Sequence, residues 1–315
     1  MENRPGSERR LHHAAFVYRT PDEFLTAIQL FAQAGIDADE PTCVAATRAN
    51  VDLLQERMPE LGQHVTYEDM SVIGLNPGRI LSGMHLFAEQ HPGATLRYVQ
   101  EPLWPARSAE HQNEAIRHEA LLNLALATYT MTVLCPYDSR LIAKALASTD
   151  RTHPDLVSDG NWRRNVAYAD DPVIPAEFDL PFQPAPASAA VMTYRHNLRA
   201  PRRFTLETAR QLGLAQPRAV DLVIAVGELA ANTWRHTTSS GTVAVWRDHD
   251  EVICQVSDTG HITDPLAGRR RPPATGLDGG RGLWLVHQLC DLVETRSGPD
   301  GTTIRLRMQL RPGTS

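Results

Sequence analysis

Residues 223–236 read VIAVGELAANTWRH. On a helix Glu228 and Asn232, four apart, share one face one turn from each other. Their neighbours Val223, Ile224, Val226, Leu229 and Ala230 are apolar, and a carboxylate with an amide on such a face needs polar partners. The pattern predicts a helix over 217–236. Downstream, QVSDTG (255–260) places Asp258 and Gly260 directly after an apolar strand predicted over 252–257. GGRGL (279–283) opens a helix predicted over 283–290. Glycines there let backbone N–H groups approach a phosphate, and a helix N-terminus favours anions. GTT (301–303) leads into a strand predicted over 303–308. Further strands are predicted at 192–198, 242–247 and 292–297, and a helix at 202–213. This half therefore reads as an α+β layer, with antiparallel strands on one side and helices on the other.

Singly, each of these pieces has a plain explanation: a solvated glutamate, a strand-ending turn, a glycine-led helix, a hairpin. Their order is far more specific. Glu-x-x-x-Asn on a helix, Asp-x-Gly after a strand, a long loop, Gly-x-Gly at a helix start and Gly-x-Thr into a strand together resemble the GHKL (Bergerat) ATPase domain, over 190–311. GELAANTWRH, GRGLWLVHQLCD and GTTIRLRM resemble most the anti-sigma regulatory factor branch, the RsbW/SpoIIAB-like serine/threonine kinases. The resemblance implies ATP and Mg²⁺ as cofactors. Asn232 would hold Mg²⁺ through its side-chain oxygen, and Glu228 would be the general base on an attacking hydroxyl. Asp258 would accept from the adenine amino group, with Gly260 letting the base lie close and Thr303 supporting it. Gly280, Arg281, Gly282 and Leu283 would form the phosphate-binding helix start. The loop 261–279 would be a lid, whose Arg269, Arg270 and Arg271 either reach phosphate oxygens or form a solvated basic stretch. Ile262 stands where many members carry a second glycine, which implies a stiffer hinge. Trp234 is expected to pack in the core rather than stack on adenine.

The chain has 315 residues and a net charge of −6, which argues against nucleic acid as the main partner. Without a run of about 18 apolar residues, no membrane span is expected. Of 31 basic residues only Lys144 is lysine, so a P-loop of the Gly-Lys-Ser/Thr type is excluded. Cys43, Cys135, Cys254 and Cys290 are widely spaced in apolar runs and read as buried thiols in a reducing cytoplasm.

Residues 170–187, DDPVIPAEFDLPFQPAPA, hold five prolines and read as the heart of a linker over 161–189. Before it, strands predicted at 14–18, 42–46, 95–99 and 132–135 alternate with helices at 21–34, 50–58, 77–90, 110–127 and 140–147. That alternation implies a mostly parallel sheet covered on both faces. Thr20-Pro21 and Asn76-Pro77 are helix-start signals. His12-His13, Asn76-Pro77-Gly78-Arg79, Glu101-Pro102-Leu103-Trp104-Pro105, Glu119-Ala120-Leu121-Leu122-Asn123, Tyr137-Asp138 and Thr152-His153-Pro154 resemble the MEDS (methanogen/methylotroph sensory) family over 10–160. The resemblance implies a RecA/KaiC-like α/β fold with a degraded phosphate loop. Ligands of open parallel sheets bind at the carboxyl ends of strands, so Arg97, Glu101, Glu119, Tyr137 and Asp138 are a candidate small-molecule pocket, or else a structural hydrogen-bond network. A metal or haem site at His12, His13 and His153 is a further alternative, one that no fixed ligand spacing supports.

The expected protein is a cytoplasmic, signal-responsive anti-sigma regulatory factor. It would sequester a sigma factor, phosphorylate a serine or threonine of a STAS-type anti-sigma-factor antagonist, or do both, and form a homodimer as the family does. Two alternatives remain from the sequence: a partner-binding protein without kinase turnover, and a histidine kinase-like relay with His118 as phosphoacceptor.

Overall fold

The computed structural model describes residues 10–141, 143–158, 160–168, 181–272 and 280–310. The chain divides into two compact units, 1–178 and 179–315.

In the first unit the elements run β1 (Leu11–Tyr18), α1 (Pro21–Asp37), β2 (Thr42–Ala46), α2 (Arg48–Arg57), β3 (Val65–Asp69), α3 (Met70–Ile73), α4 (Ile80–Gln90), β4 (Leu96–Gln100), α5 (Ala109–Ala125), β5 (Met131–Asp138), α6 (Ala143–Thr152), β6 (Asp155–Ser158) and β7 (Asn161–Arg164). The strands form one sheet in the order β3-β2-β4-β5-β1-β6-β7. Every pairing is parallel except that of β6 with β7. The central strands β2, β4 and β5 are buried at every residue, as befits a sheet covered on both faces. Thr20 caps α1 by accepting the Glu23 N–H, with Pro21 at the first helical position. Only Arg19 and Thr20 connect β1 to α1, too short a turn to wrap a phosphate, and Pro21 has no N–H to offer one. Asn76 likewise caps the turn Pro77–Arg79, through its side-chain oxygen and the Gly78 N–H.

In the second unit the elements are β8 (Ala190–Tyr194), α7 (Arg199–Gln211), α8 (Gln216–His236), β9 (Gly241–Asp248), β10 (Glu251–Asp258), α9 (Arg281–Leu289), β11 (Leu292–Gly298) and β12 (Gly301–Gln309). The sheet order is β11-β12-β10-β9-β8, antiparallel throughout. One face packs on the helices: Val243, Val245, Val252, Cys254, Val256, Ile304, Leu306 and Met308 meet Leu222, Val226, Leu229 and Val286.

Two expectations shift. The linker expected over 161–189 is shorter at both ends. Residues 161–164 pair with β6 as β7, and the Asn165 amide donates to the His153 carbonyl at 2.7 Å. At the other end, Ala185 and Ala189 pack on Ala244, Trp246 and Ile253 on the outer face of the second sheet. There the Arg305 guanidinium lies over both the Phe182 ring (4.4 Å) and the Trp246 ring (5.2 Å). Burial of apolar and aromatic surface outweighs the proline content at this end. Residues 169–180 of the expected linker lie outside the described residues. The strand expected over 192–198 ends at Tyr194, where the chain turns toward α7.

Candidate functional site

The face of α8 carrying Glu228 and Asn232, the end of β10 at Asp258, Gly260 beyond it, and the start of α9 at Gly280, Arg281, Gly282 and Leu283 enclose one cleft of about 1020 Å³. Thr303 is absent from its wall and Thr302 is present. Successive strand side chains point to opposite faces. Thr302 faces the helices, donating its hydroxyl to the Gly260 carbonyl at 2.7 Å and lying 2.7 Å from the Ser297 hydroxyl. Thr303 points the other way and donates to the Ser257 hydroxyl at 3.1 Å. We expect Thr302→Val to weaken Mg·ATP binding about 10-fold through the lost hydrogen bond, and Thr303→Val to stay within about 2-fold of wild type. Calorimetry on the two variants decides between these threonines; equal losses would defeat the assignment.

Asp258 is held rigidly. Its Oδ2 accepts from the Thr233 hydroxyl at 2.6 Å, and its Oδ1 accepts from the Gly260 N–H at 2.8 Å. The Tyr194 hydroxyl lies 2.9 Å from that of Thr233. Each carboxylate oxygen keeps a second lone pair for a ligand donor. Sequence reasoning missed Thr233 and Tyr194. The signal for Thr233 was available: it follows Asn232 on the helix, and a carboxylate at a buried strand end needs a donor.

At the start of α9, Gly280 adopts φ = +97°, and no side-chain cap is seen among the described residues. A glycine-led helix start of this kind is a place that favours an anion. Gly282 sits against Glu228: a Cβ there would come within 2.7 Å of the Glu228 Oε2. The glycine therefore lets the carboxylate lie directly beside the helix start.

The beginning of the loop is anchored. Ile262 packs against the helix-side core and donates its N–H to the Ser297 hydroxyl at 2.8 Å. Asp264 accepts from the Leu266 N–H at 2.9 Å, and Leu266 is buried. The three arginines separate. Arg269 is buried and does not line the cleft, whereas Arg270 and Arg271 do, Arg270 lying 3.8 Å from Asp264. Residues 273–279 of the expected lid lie outside the described residues. Trp234 is 56% exposed and off the cleft wall, so it is neither core nor stacking platform. Arg235 donates to the Asn232 Oδ1 at 3.3 Å.

In the first unit the five residues of the expected pocket fall into separate networks. Arg97 lies near the amino end of β4 and Glu101 just beyond its carboxyl end, about 13 Å apart along a strand. Arg97 pairs with Glu40 at 2.5 Å and lies over the Phe31 ring. Glu101 links three strand ends by accepting from the Thr47 N–H (2.8 Å), Asn50 (2.8 Å) and the Tyr18 hydroxyl (3.1 Å). Burial raises the Glu101 carboxyl above its ordinary range, against the opposing pull of these donors. Asp138, at the carboxyl end of β5, is lowered chiefly by its hydrogen bonds from Arg140. Glu119 and Tyr137 instead belong to a fully buried cluster with His13, Gln100, Cys135 and His153. Burial, then His13, pushes the His153 imidazole down to about 4. His118 is also fully buried, with its Nε2 3.0 Å from the Gln100 Oε1; it offers no accessible phosphoacceptor.

Comparison with known proteins agrees with this division. Residues 12–154 match the MEDS family (methanogen/methylotroph, DcmR sensory domain), and residues 193–308 match the histidine kinase-like ATPase domain. Among solved structures, the RsbU and RsbW domains of Rv1364c from Mycobacterium tuberculosis are similar at 22% identity with a TM-score of 0.31. That match covers 41% of this chain and 34% of the other, so it spans about a third of that solved chain. No curated protein matches the chain. Among the described residues no helix is long and apolar enough to cross a membrane. The chain thus joins a segment that matches the MEDS sensory domain to one that matches the histidine kinase-like ATPase domain.

Proposed function

We propose that this protein is a signal-responsive anti-sigma regulatory factor whose C-terminal domain binds ATP with Mg²⁺ and transfers phosphate to a serine or threonine of a STAS-type antagonist. The observation that carries the proposal is the convergence of Glu228, Asn232, Asp258 and the glycine-led α9 start on one cleft large enough for a nucleotide. Asp258, fixed by Thr233 and Gly260, presents an acceptor to an adenine amino group. Asn232 offers a hard oxygen ligand suited to Mg²⁺. The α9 N–H groups, with Arg270, Arg271 and Arg281 on the cleft wall, receive phosphate oxygens. Bound ATP would supply its γ-phosphoryl group, leaving as ADP. Glu228, beside Gly282, takes the proton from the attacking hydroxyl.

In this reading the MEDS domain is the input. A small-molecule signal there shifts the protein between two states that differ in affinity for a sigma factor and for the antagonist. Homodimerisation and a RecA/KaiC-like ancestry of the first unit belong to the same proposal. The parallel sheet with its two-residue β1–α1 turn supports a fold of that kind without a working phosphate loop. The tethered Ile262 favours the second reading, a nucleotide-binding partner protein without turnover, because it stiffens the loop at its root.

Glu228→Gln separates the two readings. We expect the variant to bind Mg·ATP within a few-fold of wild type and to lose phosphotransfer to a STAS-type acceptor by at least about 100-fold. Wild-type protein that binds nucleotide and never phosphorylates such an acceptor establishes the second reading.

A further inference from the structure

His13 on β1, Glu119 on α5, Cys135 on β5 and His153 after α6 are all fully buried, and one ligand atom from each lies within 4.8 Å of the other three. The His13 Nε2 is 3.2 Å from the Glu119 Oε2 and 3.3 Å from the Cys135 Sγ. The His153 Nε2 is 3.0 Å from the same carboxylate oxygen.

The far sides of both rings decide where their protons sit. Asn123 donates its Nδ2 to the Thr152 carbonyl at 2.8 Å, which turns its Oδ1 toward the His13 Nδ1 at 3.0 Å. An amide oxygen only accepts, so the His13 Nδ1 carries the hydrogen. The Thr152 hydroxyl donates to the Ser148 carbonyl at 2.9 Å, leaving an oxygen lone pair for the His153 Nδ1 at 2.8 Å. The Thr149 carbonyl lies 3.2 Å from that same nitrogen. The His153 Nδ1 therefore carries its hydrogen as well. In neutral rings, both Nε2 atoms are then bare lone pairs facing a carboxylate oxygen, which is also an acceptor. Among the described residues the His153 Nε2 has no hydrogen-bond partner, despite its short approach to Glu119. Acceptors gathered at such distances repel one another unless a proton, such as that of the Cys135 thiol beside the His13 Nε2, or a metal cation lies among them.

The spacing fits one class of cation. Tetrahedral zinc bonds to nitrogen, oxygen and sulfur imply ligand–ligand edges of about 3.3–3.6 Å. The three short contacts, 3.0–3.3 Å, lie a few tenths inside those edges, and the four ligand atoms all lie within 4.8 Å of one another, so the cluster would close slightly on a bound ion. The surrounding groups also orient the ligands. Gln100 donates to the Glu119 Oε1 at 2.8 Å and lies 3.3 Å from the Cys135 Sγ, and Asn123 holds the His13 ring. We propose that His13, Glu119, Cys135 and His153 form a closed four-ligand site for a borderline-soft divalent cation of the zinc class, inside the MEDS domain. The site ties β1, β5, α5 and the end of α6 together. It is independent of the nucleotide reading of the second unit.

The test uses the untagged full-length chain, stripped with a chelator and titrated with Co²⁺ as a spectroscopic probe, then with Zn²⁺. The expected result is one Co²⁺ per chain, with the visible bands of four-coordinate cobalt and a sulfur-to-cobalt charge-transfer band, displaced by Zn²⁺. Cys135→Ser, checked for folding by circular dichroism, should lose the charge-transfer band and bind more than about 10-fold more weakly. Asn123→Ala leaves all four ligands in place and should weaken binding about 10–100-fold by freeing the His13 ring. Folded wild-type protein that takes up no stoichiometric Co²⁺ or Zn²⁺ overturns the proposal; the cluster is then a charged imidazole–carboxylate network. A charge-transfer band that survives in Cys135→Ser also overturns it.

Discussion

Asp258→Ala abolishes nucleotide binding: calorimetry with Mg²⁺ and ATP should show an affinity at least about 100-fold below wild type, close to 3 kcal/mol. Two effects add. The adenine amino group loses its acceptor, a hydrogen bond to a charged group contributing about 1.5–3 kcal/mol. The Thr233 hydroxyl and the Gly260 N–H also lose theirs, so the turn after β10 is no longer fixed. Asp258→Asn separates these effects. It keeps the shape and one oxygen, but its NH₂ meets either the Thr233 or the Gly260 donor. It should therefore bind more weakly than wild type yet better than the alanine variant. A folded Asp258→Ala protein with wild-type affinity would remove the adenine from this position and, with it, the proposed orientation of phosphates toward α9.

Much of this cleft was legible in the sequence because its elements are local. A four-residue interval fixes a helix face, a strand-ending Asp-x-Gly fixes a turn, and a glycine pair before an apolar run fixes a helix start. What the sequence hid was choice at the next level. Thr302 and Thr303 are adjacent and chemically identical, and only the register Asp258↔Thr302 decides which one faces the helices. The three adjacent arginines look alike in sequence, yet the buried Leu266 anchors the turn before them and takes Arg269 away from Arg270 and Arg271. Trp234 follows Thr233 by one position, and the helix turns it outward while Thr233 points in.

The first unit was legible as an alternating α/β sheet for the same local reasons, but its polar residues were not. Arg97, Glu101, Glu119, Tyr137 and Asp138 looked like one set because they lie near predicted strand ends. Strand length separates Arg97 from Glu101, and helix α5 carries Glu119 down onto His13, which is 106 residues away in the chain. No spacing rule reaches across such a separation. β3 was missed because VTYED is short and half-polar, an edge strand with one buried residue.

Gly301→Ala should destabilise the C-terminal domain by about 3 kcal/mol or more, lowering its melting temperature by roughly 10 °C. Gly301 opens β12 at φ = +126°, a conformation that costs an L-residue about 1–3 kcal/mol. A Cβ there would also stand 2.3 Å from the Asp258 carbonyl oxygen and 3.2 Å from the Thr259 Cα. Both are backbone atoms, so no side chain can swing aside, and the strand must move away from β10. That movement carries Thr302 off Gly260 and loosens the turn that holds Asp258. Lost stability and lost nucleotide affinity should therefore appear together. Gly298, the pairing partner of Gly301 across the same hairpin, is the control: a Cβ there meets nothing within 4 Å. Gly298→Ala should change stability by less than about 1 kcal/mol and leave nucleotide binding intact. Thermal unfolding of the two variants side by side tests the account. If both fall equally, the cost is a general property of the turn; if only Gly301→Ala falls, the close approach of β12 to Asp258 is what the glycine preserves.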